Sequence, residues 1–547
     1  MNGILTFTHR WAGVALALFM LVWISSGLLI AFVEVPSIGE NSRLPLSRAQ
    51  SLAPHDGWLS LGEALRLSAA ARAKTQTGGE ASLARSSHKQ PARSEKPQND
   101  SGFAEARLRR VDGAPFWIVE DDAGQRFAIS AIDGGLIEVT PERAERIASA
   151  WLERESAEEP ALTYLDTIDA PLGLRNAEAL KPFHRFAVDD GAGSQILVSQ
   201  RTGEVVQNLS RKQRLLAYAG NWLHLFRWLD ALGAAEYRRD ALSWAGFFAA
   251  AGALTGLIVG WIRWRPGLFG RPTYLGGRTQ PFREFWLKYH FWAGLIGGTF
   301  ALLAALSGFI STNPGQVFSP ATASRAELAR FRGERPPAVV TDWKPAPRPF
   351  FGDDVVELQW SRLGDDAKLF ALTRRGERRR LDLQGTTASY SDAALLSAAQ
   401  RVAGETEIAG QELLEGYDDY YYLNRRQTAE ERPLPVLRVD LADARHSSLY
   451  LDPAQGRLVA KFDDSGRWRR WLYTAVHHWD FGWFRNALLW NVWMAAWISF
   501  VFMLALSAVV LGWRRLLRSV RPITRMFPFF KATKAVKGRE ATQRASS

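Results

Sequence analysis

Nine histidines and no cysteine bound the chemistry open to this 547-residue chain. Without thiolates there is no cysteine-ligated iron–sulfur cluster, no covalently attached c-type haem, no thiol nucleophile, no disulfide and no cysteine zinc site. A metal or haem must be held by His, Met, Tyr or carboxylate. Four histidines fall in matched positions: His9 with His290, and His224 with His477. Neutral imidazole is the natural axial ligand of b-type haem. Two such pairs at two depths would give two haem b groups their iron ligands, His9 with His290 and His224 with His477 by depth and symmetry or else crossed, and so an electron path across a membrane. Zinc is the weaker expectation, since no histidine lies four residues from another and there is no H-E-x-x-H motif. His478 adjoins His477 but lies off the matched spacing. His55, His88, His184 and His446 have no match and read as surface residues.

The elements that must position these residues are membrane helices. Four stretches approach the ~20 apolar residues that a span requires: Trp11 to Val33, Ala241 to Ile262, Phe291 to Ile310 and Asn486 to Trp513. Their density of rings fits this, with 22 Trp and 30 Phe in the chain. The first span lacks a small-residue cleavage site after its apolar run and reads as retained. Arg263, Arg265, Arg271, Arg278, Arg283 and Lys288 stand against Glu284 between spans two and three, and Arg514, Arg515, Arg518, Arg521 and Arg525 follow span four. Both segments should be cytoplasmic, as should the N-terminus. Much of the positive charge, +12 net, is then membrane topology and anionic lipid contact, not nucleic-acid binding.

The expected plan is helix 1–33, extracytoplasmic region 34–240, helix 241–262, cytoplasmic loop 263–288, helix 289–310, extracytoplasmic region 311–485, helix 486–513 and cytoplasmic tail 514–547. The plan repeats itself. His9-Arg10-Trp11-Ala12-Gly13 through Ser26-Gly27 matches His290-Phe291-Trp292-Ala293-Gly294 through Ser307-Gly308 at an offset of 281. Pro182, Arg185, Gly203 and His224 match Pro435, Arg438, Gly456 and His477 at an offset of 253. Around each glycine the pattern reads strand, turn, strand. Both copies start on the same side, so the duplication is tandem and parallel. Ala71 to Glu105 and Lys531 to Ser547 have disordered composition, and Arg335 to Pro349 reads as a Pro-rich linker. Phe116 to Val139 and Val355 to Leu383 read as strands and turns.

These residues match a family pattern. H-R-W-A-G opens span one and Y-H-F-W-A-G opens span three. Gly416-Tyr417-Asp418-Asp419-Tyr420-Tyr421-Tyr422, Pro433-Leu434-Pro435-Val436-Leu437-Arg438 and Leu449-Tyr450-Leu451-Asp452-Pro453-Ala454-Gln455-Gly456 follow in order. The chain resembles the PepSY-associated transmembrane family. The resemblance implies a bacterial inner-membrane protein: four transmembrane α-helices with two α+β periplasmic PepSY-like regions. Characterised relatives include haem-containing reductases that pass electrons across the membrane to ferric siderophores and release ferrous iron. The four matched histidines fit such ligand positions. The sequence departs from the pattern in the Ala71 to Glu105 insert, in a first half whose nearest counterpart to the tyrosine run is Tyr164 to Asp169, and in a first turn, Ser199 to Gly203, without Asp-Pro.

On this reading Tyr417, Asp418, Tyr420 and Tyr421 are candidates to contact the ferric siderophore. Tyrosine is equally a good strand residue. No flavin or nicotinamide domain follows the spans, so quinol or a separate protein is expected as electron donor. The rival expectation is a non-catalytic PepSY membrane module that regulates or binds a partner protein. A transporter ranks third, because the spans offer little mid-membrane polarity beyond Ser25, Ser26, Thr255 and Ser507.

Overall fold

The computed structural model describes residues 2–33, 57–70, 103–121, 123–152, 160–171, 177–268, 270–333, 338–345, 354–364, 366–381, 390–424 and 427–526, with positions 38, 43–44, 51–55, 174, 336 and 352. The chain divides into two compact units. One, here the helical unit, is 1–32, 218–317 and 469–547; the other, the sheet unit, is 33–217 and 318–468.

In the helical unit the uncharged runs form long helices, α1 (Asn2–Phe32), α3 (Arg238–Arg263), α4 (Phe285–Ser311) and α5 (Ala487–Met526), and α2 (Arg211–His224) enters it with its last turns. The four long helices are apolar and long enough to cross a membrane, over Gly3–Phe32, Ala235–Arg263, Phe285–Ser311 and Ala487–Ser519. They outrun the apolar sequence windows because the helical backbone continues into the charged flanks. The Glu284 carboxylate caps α4 by accepting from Leu287 N at 2.9 Å. α1 and α4 each pack on α3 and α5, so they stand diagonally in the bundle. Glycine allows the close approaches: a Cβ at Gly246 or Gly297 would come within 3.0 Å of the Phe309 or Phe500 backbone. The hydroxyls of Ser25, Ser26, Thr255 and Ser507 each donate to a carbonyl of their own helix.

Among the described residues the sheet unit holds three antiparallel sheets. β1 (Phe103–Val111), β2 (Ala114–Asp121), β3 (Arg126–Ser130), β4 (Leu162–Ile168), β5 (Phe183–Val188), β6 (Gln195–Ser199) and β7 (Val205–Leu209) come from the first region. β8 (Val355–Leu363), β9 (Asp366–Thr373), β10 (Arg378–Leu381), β11 (Ile408–Leu414), β12 (Val436–Leu441), β13 (Ser448–Asp452) and β14 (Arg457–Phe462) come from the second. Two four-stranded sheets run β4-β5-β6-β7 and β11-β12-β13-β14. Each follows a helix, Pro141–Leu152 or Asp392–Ala403, whose buried face closes its core. The turns at Gly203 and Gly456 both need positive φ, 66° and 60°.

The third sheet was not foreseen. It runs β10-β9-β8-β1-β2-β3 and joins the two regions through β1 and β8, with Ala106 opposite Trp360 and Leu108 opposite Leu358. Pairing the two three-stranded pieces removes an exposed edge from each. Leu108, Trp117, Leu358, Trp360 and Ala371 form one continuous core across the join. Two boundaries also shift. The expected disordered stretch ended at Glu105, but β1 begins at Phe103, and residues 71–102 lie outside the described ones. The expected linker Arg335 to Pro349 contains a helix, Ala338–Asp342, anchored by buried Val340. The tail from Lys531 lies outside the described residues, as do Arg425 and Arg426.

Candidate functional site

All four matched histidines lie in the helical unit. His9 sits in α1 and His290 in α4, on diagonal helices, and their ring centroids are 6.4 Å apart. His224 ends α2. His477 lies in a short helix, Val476–His478, that continues from a π-helical turn, Arg470–Ala475. The local backbone agrees: the residue two beyond each, Phe226 and Trp479, has φ of 52°.

Each Nδ1 has a defined surround. His224 Nδ1 lies 3.1 Å from the Trp23 carbonyl oxygen, which can only accept, so this nitrogen carries the proton. His477 Nδ1 lies 3.0 Å from Ser307 Oγ, whose own hydroxyl donates to Leu303 O at 2.6 Å. His290 Nδ1 lies 2.9 Å from Ser507 Oγ, whose hydroxyl donates to Leu504 O at 2.8 Å. Each serine has spent its proton on the carbonyl and must accept from the imidazole. His9 Nδ1 is buried without a completed hydrogen bond. Among the described residues no Nε2 of the four makes a hydrogen bond. Three rings are therefore fixed in the tautomer that leaves Nε2 basic and open, the arrangement in which imidazole binds a metal. Burial pushes the His224 and His477 imidazoles below their usual pKa, and His478 and His224 add repulsion at His477.

The rings lie against helices stripped of side chain. A Cβ at Gly27 would stand 2.9 Å from His224 Cε1, and one at Gly256 would stand 2.6 Å from His9 Cε1. Gly308, the match of Gly27, faces His477 Cε1 at a looser 3.5 Å. Open Nε2 atoms on imidazoles, three of them oriented through Nδ1, are a donor set that fits haem b iron. Trp23 borders the other level, 5.5 Å from the His224 ring, with its indole donating to the His224 carbonyl.

The supporting residues Gly27, Gly256, Ser307 and Ser507 were missed as such in the sequence. Ser26-Gly27 and Ser307-Gly308 marked the repeat, but the repeat does not say which residue their helix face meets. Gly256 and Ser507 carry no signal beyond their residue type.

The other histidines divide. His446 is exposed and pairs with Asp464 at 2.7 Å, and His55 is exposed. His478 is exposed beside Tyr473. His88 lies outside the described residues. His184 corrects its expectation: it is buried, with Nε2 2.7 Å from Val139 O and Nδ1 2.9 Å from Thr167 Oγ1. Both ring nitrogens are occupied, so it holds the first four-stranded sheet to its neighbour loop.

The tyrosine run lies in the sheet unit, and most of its polar atoms are turned inward. Asp418 Oδ1 accepts from the backbone N–H of Tyr420 and Tyr421, and its Oδ2 accepts from Tyr450 OH at 2.8 Å. Tyr421 is fully buried, stacked on Tyr450 at 5.1 Å, and donates to Pro433 O at 2.7 Å. Tyr417 donates to Arg432 O at 3.0 Å. Tyr420 is half-buried against Phe462. These contacts pin a turn onto β12–β14 and give Asp418, Tyr417 and Tyr421 a structural task.

Four apolar helices of spanning length and a β-sheet unit define a multi-pass membrane protein with an extramembrane part. The chain belongs to the family described as the PepSY-associated TM region, whose profile matches residues 7–379. The match takes in His9, His224 and His290, and ends before His477 and the tyrosine run. No curated protein matches the chain.

Proposed function

We propose that this protein is an inner-membrane, haem b-dependent oxidoreductase that passes electrons across the bilayer to a periplasmic ferric siderophore and releases ferrous iron. The observation that carries the reading is the open Nε2 on four matched imidazoles, three of them fixed by an Nδ1 hydrogen bond. His9 and His290 would hold one haem, and His224 and His477 the other. Bound haem supplies reversible one-electron chemistry at iron. The chain's part is to orient the ligands, keep them neutral and exclude water around them. Gly27 and Gly256 let the rings lie flush with the helices, and Ser307 and Ser507 fix the proton on Nδ1. The Arg-rich segment between α3 and α4 favours a cytoplasmic location for it and for both termini. Quinol or a separate protein is the donor.

The test is ferrous-iron capture by a colorimetric chelator, with protein in lipid vesicles, reduced menaquinol as donor and ferric ferrioxamine outside. Ferrous iron should form at a rate proportional to protein and be abolished by His224→Ala. No ferrous iron from haem-loaded protein with any ferric chelate tried would reject the reductase reading. A haem-free protein would instead favour the partner-binding module.

A further inference from the structure

The helix α2 carries an apolar stripe open to its surroundings. Leu215 is 61% exposed and Tyr218 49%, and Leu225, just past the helix end, is exposed too. Trp222 lies half-buried with its ring stacked on Tyr218 at 5.3 Å. Steps of three, four and three residues put all four on one helix face. Arg211 and Lys212 stand exposed at the start of the same helix, and among the described residues neither is ion-paired.

The second copy repeats the arrangement. At the 253 offset Leu215 corresponds to Trp468 and Tyr218 to Trp471. Trp468 is 62% exposed, and Leu472, four residues on, is exposed as well. Their helix, Asp464–Arg469, runs on through the π-helical turn to His477. Arg469 stands between them, its guanidinium 5.1 Å over the Tyr473 ring.

The depth of both helices follows from what their later turns touch. A Cβ at Gly220 would stand 3.1 Å from Ile30 Cγ1, and one at Gly27 would stand 2.9 Å from His224 Cε1. Gly27 and Ile30 lie in the last turns of the α1 span, which ends at Phe32. The end of α2 therefore shares the depth of the end of that span. Leu215 precedes Gly220 by five residues, at most about 8 Å further along the helix axis. In the second copy His477 Nδ1 lies 3.0 Å from Ser307 Oγ, about one turn short of the end of the α4 span at Ser311. At this level lipid surrounds the spans, so the stripe continues their lipid-facing surface. A helix with Trp, Tyr and Leu on one face and cations at its outer end has the make-up of an interfacial helix.

We propose that α2 and its counterpart, Asp464 to His478, are seated in the phospholipid leaflet nearest Phe32 and Ser311. Leu215, Tyr218, Trp468 and Leu472 enter the boundary between headgroups and acyl chains, and Arg211 and Lys212 lie beside headgroup phosphates. The bilayer then takes in two partial helices besides the four spans. The proposal needs only the membrane spans and is independent of haem binding.

The chain has no cysteine, so a single-cysteine variant carries a nitroxide label at one chosen site without other change. The test is spin-label collision with oxygen and with a water-soluble nickel chelate. It uses the full chain in vesicles of phosphatidylethanolamine and phosphatidylglycerol. At Leu215→Cys, Tyr218→Cys and Trp468→Cys, oxygen collisions should exceed chelate collisions, the reverse of the order for free label in buffer. Chelate collisions in excess at Tyr218 or at Trp468 would put that helix in water and overturn the proposal. A label shielded from both reagents at these sites would place a protein partner there and overturn it as well. Each variant is read by itself, so one that does not fold leaves the other two to decide.

Discussion

The histidines of the helical unit and the tyrosine run of the sheet unit dispose of their polar atoms in opposite ways. At His224, His290 and His477 one ring nitrogen is committed to a carbonyl or a serine, and the other is left open. At Tyr417, Tyr421 and Asp418 the hydroxyls and the carboxylate are spent on the chain's own donors and acceptors. Both groups are aromatic and polar, and both sit in matched or family-like segments. The difference teaches what to look for. A ligand-binding side chain is held at one end and unsatisfied at the other, whereas a structural one is satisfied throughout.

The comparison can be broken at several strengths. On the proposed ligand set His290→Ala removes a haem ligand, so haem content should fall from two per chain to one while secondary structure by circular dichroism is unchanged. Gly256→Ala should act almost as strongly, since its Cβ would stand 2.6 Å from His9 Cε1 and must displace the ring. Pyridine haemochrome assay should find the same loss of one haem. Asp418→Ala should do the reverse. It strips Tyr450 and two backbone N–H groups of their acceptor, at a cost of about 2–3 kcal/mol. That loss should appear as a lower unfolding midpoint of the sheet unit with haem content intact. Ser307→Ala is milder: the His477 ring keeps its place but loses its acceptor, and haem affinity at that level should fall about tenfold. Gly308→Ala, facing His477 at an ordinary 3.5 Å, should change little in either assay.

Much of the helical unit was legible in the sequence because lipid imposes a strong local signature. An uncharged run of spanning length can be read without knowing its neighbours. The four histidines stand out through a fixed spacing, and the structure brings the His9 and His290 rings to 6.4 Å. The joined six-stranded sheet was not legible. Ala106 and Trp360 lie 254 residues apart, and alternation along β1 names a buried face without naming the strand that pairs beside it. His184 was misread for a related reason. Its burial depends on the Val139 carbonyl and Thr167, neither of which marks the strand around Phe183 to Val188.

The central claim is that the four imidazoles are iron ligands. An absorption spectrum of the detergent-purified chain, oxidised and then reduced with dithionite, with haem counted per chain, tests it most directly. The account predicts two b-type haems per chain with six-coordinate low-spin bands in both states. A chain that takes up no haem when expressed with ample supply, yet is folded, would contradict it.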